Sequence, residues 1–115
     1  MEKLTLRQLC ESCGVSRRAV QGYETHGLVR PAGRNERGYL LYDEQAASQV
    51  TQVRTLQNFG FSVRQAAEYL ALPPMQQARM LRAARQKLLH RQQQLQADLN
   101  ALDALILEKE NITGA

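Results

Sequence analysis

The chain has 115 residues, enough for one compact domain with an elongated appendage, and its 43% hydrophobic content without tryptophan favours helices built on Leu, Ala and Val. Its net charge of +4 and pI near 9.4 are compatible with a polyanionic partner without demanding one. No signal peptide and no apolar run long enough to cross a bilayer is visible, which excludes a membrane-spanning class and leads to the expectation of a soluble, cytoplasmic protein.

In chain order, Thr5 followed by Gln8 reads as a capping box, and Leu6, Leu9, Cys10 and Cys13 recur at helical spacing, so a first helix is predicted over residues 6–13. Gly14 can end it in the left-handed conformation, Val15 is a candidate core anchor, and Ser16 is a good N-cap for a second helix over 17–25. Two helices joined by so few residues must turn sharply. Ala19, Val20 and Tyr23 are inward-facing candidates, and Gly27 is placed to stop the helix.

Arg30 precedes Pro31 and is biased to extended geometry, AGRNERG over 32–38 has turn chemistry, and YLLY over 39–42 has strand composition. A small two-stranded wing is predicted. Asp43 then caps a third helix to Asn58 with Gly60 as its stop, and Ser62 with Gln65 caps a short fourth helix to Leu70. Phe59, Phe61, Ala66 and Leu70 are core candidates.

Leu72, Pro73 and Pro74 break the pattern, and a run free of Gly and Pro from Met75 to Ile112 predicts a helix of about 57 Å. The division expected is therefore a head over 1–72 and a dimerisation helix over 73–115. Leu81, Leu88, Leu95 and Leu102 recur every seven residues with Leu99 and Ile106 beside them, a stripe too long for a small head to cover. Basic Arg79, Arg82, Arg85, Lys87 and Arg91 fill the first half, whereas Asp98, Asp103, Glu108 and Glu110 dominate the second. Antiparallel pairing of two copies sets these opposite charges together, with residue numbers adding to 188–190 and a two-fold axis near Leu95. Folding of the stripe onto the chain's own head is the competing arrangement.

A short helix, sharp turn and second helix followed by a basic hairpin is the winged helix-turn-helix arrangement, mainly α, which places a recognition helix in a DNA major groove and a wing on flanking phosphates. Arg17 and Arg18 occupy the first turn of that helix, where like charges oppose the helix dipole unless an anion arrives. Gly22 costs about 1 kcal/mol against Ala in a helix interior. It either permits close approach of another backbone or marks a tolerant surface position.

The order of elements and the stretches LTLRQLCESCGVSRRAV, QGYETHGLVRP, GYLLY and LQNFGFSVRQAAEYL, within residues 4–70, resemble the MerR family of bacterial transcription regulators. The resemblance implies a homodimer joined through a long antiparallel coiled coil, acting on double-stranded promoter DNA that it distorts for RNA polymerase. Carried over by position, Ser16, Arg17, Arg18, Gln21 and Tyr23 fall on the recognition helix and Arg34, Arg37 and Tyr39 on the wing; Leu81, Leu88, Leu95, Leu99, Leu102 and Ile106 form the dimer seam.

Two departures stand out: Gln21 and Gly22 replace the Arg and the first Tyr of the family's Arg-Tyr-Tyr-Glu pattern, and Leu40 replaces the Arg of its Gly-Tyr-Arg wing. Both lost cations would meet phosphate, so the alternative is a dimeric protein-interaction module with weakened DNA binding. No cofactor, metal site or catalytic constellation is expected: His26 and His90 are isolated, and three residues after Ile112 leave no room for a metal loop or an effector domain. Cys10 and Cys13 lie one helical turn apart and read as helix-packing residues, with a thiol sensor as the minor reading.

Overall fold

The structure, a computed structural model, describes residues 3–112. The described elements run β1 (Leu4–Thr5), α1 (Leu6–Cys13), α2 (Arg17–Thr25), β2 (Gly33–Arg34), β3 (Leu40–Tyr42), α3 (Glu44–Asn58), α4 (Val63–Leu70) and α5 (Pro74–Ile112). The chain divides after Gln77 into two units, the first holding everything up to the opening turn of α5 and the second the remainder of that helix.

Helix α1 starts where the reciprocal cap predicts: the Gln8 amide donates to Thr5 Oγ1 at 3.3 Å and the Thr5 amide to Gln8 Oε1 at 2.9 Å. It ends at Gly14, whose φ of 66° strains any residue bearing a Cβ, and the Val15 amide returns to the Cys10 carbonyl at 3.1 Å. A Cβ at Gly14 would also stand 2.6 Å from Arg54 Nη1, which donates to the Cys13 carbonyl at 2.7 Å. The sharp turn between α1 and α2 thus has a cation at the negative end of α1 as well as a glycine in its backbone. Val15, expected as a core anchor, is only half-buried.

Helix α3 is the spine of the first unit. Asp43 Oδ1 accepts the Ala46 amide at 2.9 Å, and Ala46, Val50, Val53 and Leu56 form a buried stripe at helical spacing. Against it and its neighbours are packed Leu9 from α1, Val20 and Tyr23 from α2, Val29, and Tyr42 from β3, all buried. Each full-sized aliphatic side chain in such a core contributes roughly 1.5–3 kcal/mol relative to exposure. Helix α4 is held by the Ser62–Gln65 capping box, by buried Ala66 and by an edge-on contact of Phe61 with Tyr69.

One expectation is extended and another corrected. The wing hairpin of β2 and β3 belongs to a three-stranded antiparallel sheet in the order β1–β3–β2, with Leu4 opposite Tyr42, Thr5 opposite Leu41, Gly33 opposite Leu41 and Arg34 opposite Leu40. The added strand is two residues long and runs into the α1 cap, leaving no alternation to read. Phe59, expected in the core, is largely outside it. The chain reverses at Gly60, where the Gly60 amide meets the Gln57 carbonyl and the Phe61 amide meets the Leu56 carbonyl, so Phe61 takes the inward position.

Helix α5 begins at Pro74, one residue before the predicted start, because proline at the first helical position has no amide to leave unpaired. Gln77 Nε2 donates to the Tyr69 carbonyl at 3.0 Å, tying the opening turn to α4. From Pro74 to Ile112 the helix runs without a break for 39 residues, about 58 Å.

Candidate nucleic-acid interface

The second helix of the helix-turn-helix pair, α2, starts at a cap that its own sequence supplies. Ser16 Oγ accepts the Ala19 amide at 3.1 Å, so that hydroxyl oxygen is engaged in capping the start of the helix. Arg17 and Arg18 follow at once in the first turn, both exposed and neither hydrogen-bonded nor ion-paired among the described residues. Two uncompensated cations therefore sit beside amides that already carry partial positive charge. Gln21, exposed one turn further on, leaves its amide group to solvent while its backbone carbonyl accepts from Thr25 Oγ1.

Tyr23 departs from its expected place on the contact surface. It is 1% exposed, and its hydroxyl donates to Gln57 Oε1 at 2.6 Å, so it packs the helix against α3 and presents nothing to a ligand. Helical spacing places it with Val20 on the inward stripe, and the inward reading of its position excludes the contact reading. Gly22 lies between the two faces; a Cβ built there meets nothing within 4 Å, so packing inside the chain does not require its missing side chain.

The wing is organised by Asn35. Its Oδ1 accepts the amides of Arg37 and Tyr39, each at 3.0 Å, while its backbone amide donates to the Tyr39 carbonyl and its carbonyl accepts from Gly38. This closed turn projects Arg37 and Tyr39 into solvent, Tyr39 with 59% of its surface exposed. Arg34 is partly committed inside the turn, since its Nη1 donates to the Gly38 carbonyl at 2.7 Å. Leu40 opposite it is half-buried.

Helix and wing are connected by two residues to which the sequence analysis gives no role. Tyr42, buried on the wing's returning strand, donates its hydroxyl to the carboxylate of Glu24 on α2. Burial first, and then the adjacent carboxylate, push the Tyr42 phenol far above the usual tyrosine range, so it keeps its proton and remains a donor. Nothing in local sequence marks this pair, because its members are 18 residues apart and lie on different elements.

Cys10 and Cys13 are both reduced and half-buried. Burial raises the Cys10 thiol above its ordinary value, with Arg17 opposing it in part, and Cys13 Sγ is directed at the Ala47 carbonyl at 3.8 Å. These surroundings suppress thiolate formation at Cys10. Among the described residues, no cluster of three or more His, Cys, Asp or Glu side chains is placed to hold a metal ion, and no helix is long and apolar enough to cross a membrane.

In the second unit, Leu88, Leu95, Leu99, Leu102 and Ile106 are exposed along α5, Leu95 by 57%. Leu81 is half-buried. A stripe of this length on one helix is more apolar surface than an isolated chain ordinarily leaves in water.

Residues 4–72 match the model of the MerR HTH family regulatory proteins. The chain is 26% identical over 77 residues to the mercuric resistance operon regulatory protein of Bacillus cereus, covering 67% of this chain and 58% of that protein. It spans between about half and three-fifths of that relative and of a probable heavy metal-dependent transcriptional regulator from Haemophilus influenzae. Among solved structures, a MerR-family transcriptional regulator from Bacillus cereus superposes with a TM-score of 0.74 at 20% identity, over 89% of this chain and 78% of that one. HiNmlR, a MerR-family regulator lacking the sensor domain and bound to promoter DNA, superposes with a TM-score of 0.68 at 18% identity, over 91% of this chain and 88% of that one. At these identities the structural likenesses bear on the fold.

Proposed function

Because the chain belongs to the MerR HTH family of regulatory proteins, we propose that it is a transcription regulator that binds double-stranded promoter DNA as a homodimer. The observation that carries this reading is the pair Arg17 and Arg18, exposed and without ion-pair partners in the first turn of a helix capped by Ser16. Phosphates or guanine edges supply the anionic or acceptor groups that such a turn lacks. Arg37 and Tyr39 at the tip of the wing extend the contact to flanking backbone, and Gln21 faces the groove. HiNmlR, which shares this fold, is itself bound to promoter DNA. Residues 1–72 form the reading head and residues 73–115 the dimerisation helix.

The stripe through half-buried Leu81 and exposed Leu88, Leu95, Leu99, Leu102 and Ile106 is covered by the same helix of a second copy running in the opposite sense, as the separation of basic and acidic halves favours. Individual surface ion pairs contribute only about 0.2–1 kcal/mol, so they select direction while leucine burial supplies the affinity. RNA polymerase is the further partner that family resemblance implies.

A titration of retarded promoter complex against salt, with competitor DNA present, tests the reading. Binding that survives competitor and weakens steeply with salt supports it, and Arg18→Ala is expected to weaken binding more than Arg64→Ala, whose guanidinium lies 3.8 Å from Glu68. Equal losses at the two positions would remove the recognition helix from the interface. The second reading, a dimeric protein-interaction module, is favoured by the exposed neutral Gln21, by Leu40 and by the partial commitment of Arg34 to the Gly38 carbonyl. It predicts no complex that resists competitor.

A further inference from the structure

Among the described residues, one side-chain hydrogen bond joins the recognition helix to the wing, from Tyr42 on β3 to Glu24 on α2. Glu24 lies seven residues after Arg17, hence on nearly the same helix face two turns away, about 10 Å along the axis. An acidic group there would repel phosphate if it stood free. Instead it is half-buried and its oxygen is taken by a phenol 1% exposed. Tyr42 in turn closes the strand that returns from the wing, three residues after Tyr39.

We propose that Glu24 is a positioning residue for DNA binding: through Tyr42 it holds the returning strand of the wing against α2, fixing the offset between Arg37 and Tyr39 on the wing and Arg17 and Arg18 on the helix. This inference rests on the DNA-binding reading above. It is separable from the general stability of the head, because α2 has its own attachment to α3 through the neighbouring Tyr23–Gln57 bond. Loss of the Glu24 bond therefore leaves the helix seated and β3 paired with β1, and loosens the wing against α2.

The test uses the full chain with Glu24→Ala, Glu24→Gln and Tyr42→Phe, and two measurements. Without DNA, hydrogen exchange is followed at the amides of Ala32 and Asn35, which donate to the Leu41 and Tyr39 carbonyls across the hairpin. Glu24→Ala and Tyr42→Phe are expected to speed exchange there by about tenfold while α1 amides are unchanged, and Glu24→Gln, which keeps an oxygen acceptor, is expected to restore most of the protection. With DNA, Glu24→Ala is expected to reduce the salt slope by about one unit for each wing cation that leaves its phosphate, and adding Arg37→Ala should then cost nothing further. Should Tyr42→Phe fail to fold, the two Glu24 variants, at a half-buried site, decide alone. Unchanged hairpin exchange, or fully additive losses from Glu24→Ala and Arg37→Ala, would overturn the positioning role while DNA binding by the wild type stands. A wild-type chain with no salt-dependent binding would overturn both readings.

Discussion

The hydroxyl of Tyr23 donates to Gln57 Oε1 across 2.6 Å, joining α2 to α3 from inside the core over 34 residues of sequence. Tyr23→Phe keeps the ring packing and leaves the half-buried Gln57 acceptor without its donor, a loss of about 1 kcal/mol. For a head of this size that lowers the Tm by about 4–8 °C. The affinity of the folded variant for DNA should not change, since the buried phenol is bonded to Gln57 and offers DNA no group. Thermal unfolding and an affinity measurement on the same variant, made well below its Tm, check the two halves, and a clear loss of affinity in the folded variant would return Tyr23 to the interface.

That residue also marks where sequence reading stops. The caps at Thr5, Ser16, Asp43 and Ser62 are legible because each bond spans three residues, and all four are formed as expected. The arginines of α2 are equally legible, because the Ser16 cap places both in the first turn of the helix. Strand β1, the Glu24–Tyr42 bond and the turning of Arg54 onto the Cys13 carbonyl all depend on partners at least 18 residues away, which no local pattern specifies. Position-by-position resemblance placed Tyr23 among the contact residues, whereas its phase on the helix placed it inside. Where the two disagreed, phase was the better guide because it follows from geometry alone.

Gly22→Ala separates two explanations of a glycine in mid-helix. Space for a Cβ is open, so the substitution is expected to stabilise the head by about 0.5–1 kcal/mol through reduced chain entropy and better helix propensity. If the helix approaches DNA closely along this edge, the same methyl group weakens the complex. A raised Tm with weaker retardation is the expected outcome; unchanged affinity would make Gly22 a tolerant surface position.

Leu95→Glu addresses the second unit. With two copies antiparallel and the axis near this residue, the substitution brings two carboxylates together and removes two leucines from the seam, each worth roughly 1.5–3 kcal/mol when buried. Sedimentation at micromolar concentration should change from dimer to monomer while the helicity of the head is retained. The same substitution at Lys87, on the basic half, should leave the dimer largely intact, and equal dissociation by both would place the seam elsewhere.

Alkaline unfolding should report the two buried phenols. Burial raises Tyr23, with Arg54 opposing it in part, and burial together with Glu24 raises Tyr42 further. Below the unfolded-state value of about 10 the folded and unfolded chains hold the same phenolic protons, and the full stability is present. Above it the unfolded chain releases protons that the folded chain keeps, so stability falls as pH rises towards the folded-state values, by up to about 1.4 kcal/mol per pH unit for each phenol. Denaturant unfolding at pH 8, 10 and 11 should therefore show a loss between the last two that Tyr42→Phe reduces. Because the phenylalanine variant is less stable at pH 8 to begin with, its curve and that of the wild type should converge as the pH is raised. Parallel curves would mean that Tyr42 titrates alike in both states, and that its hydroxyl is open to water rather than closed onto Glu24.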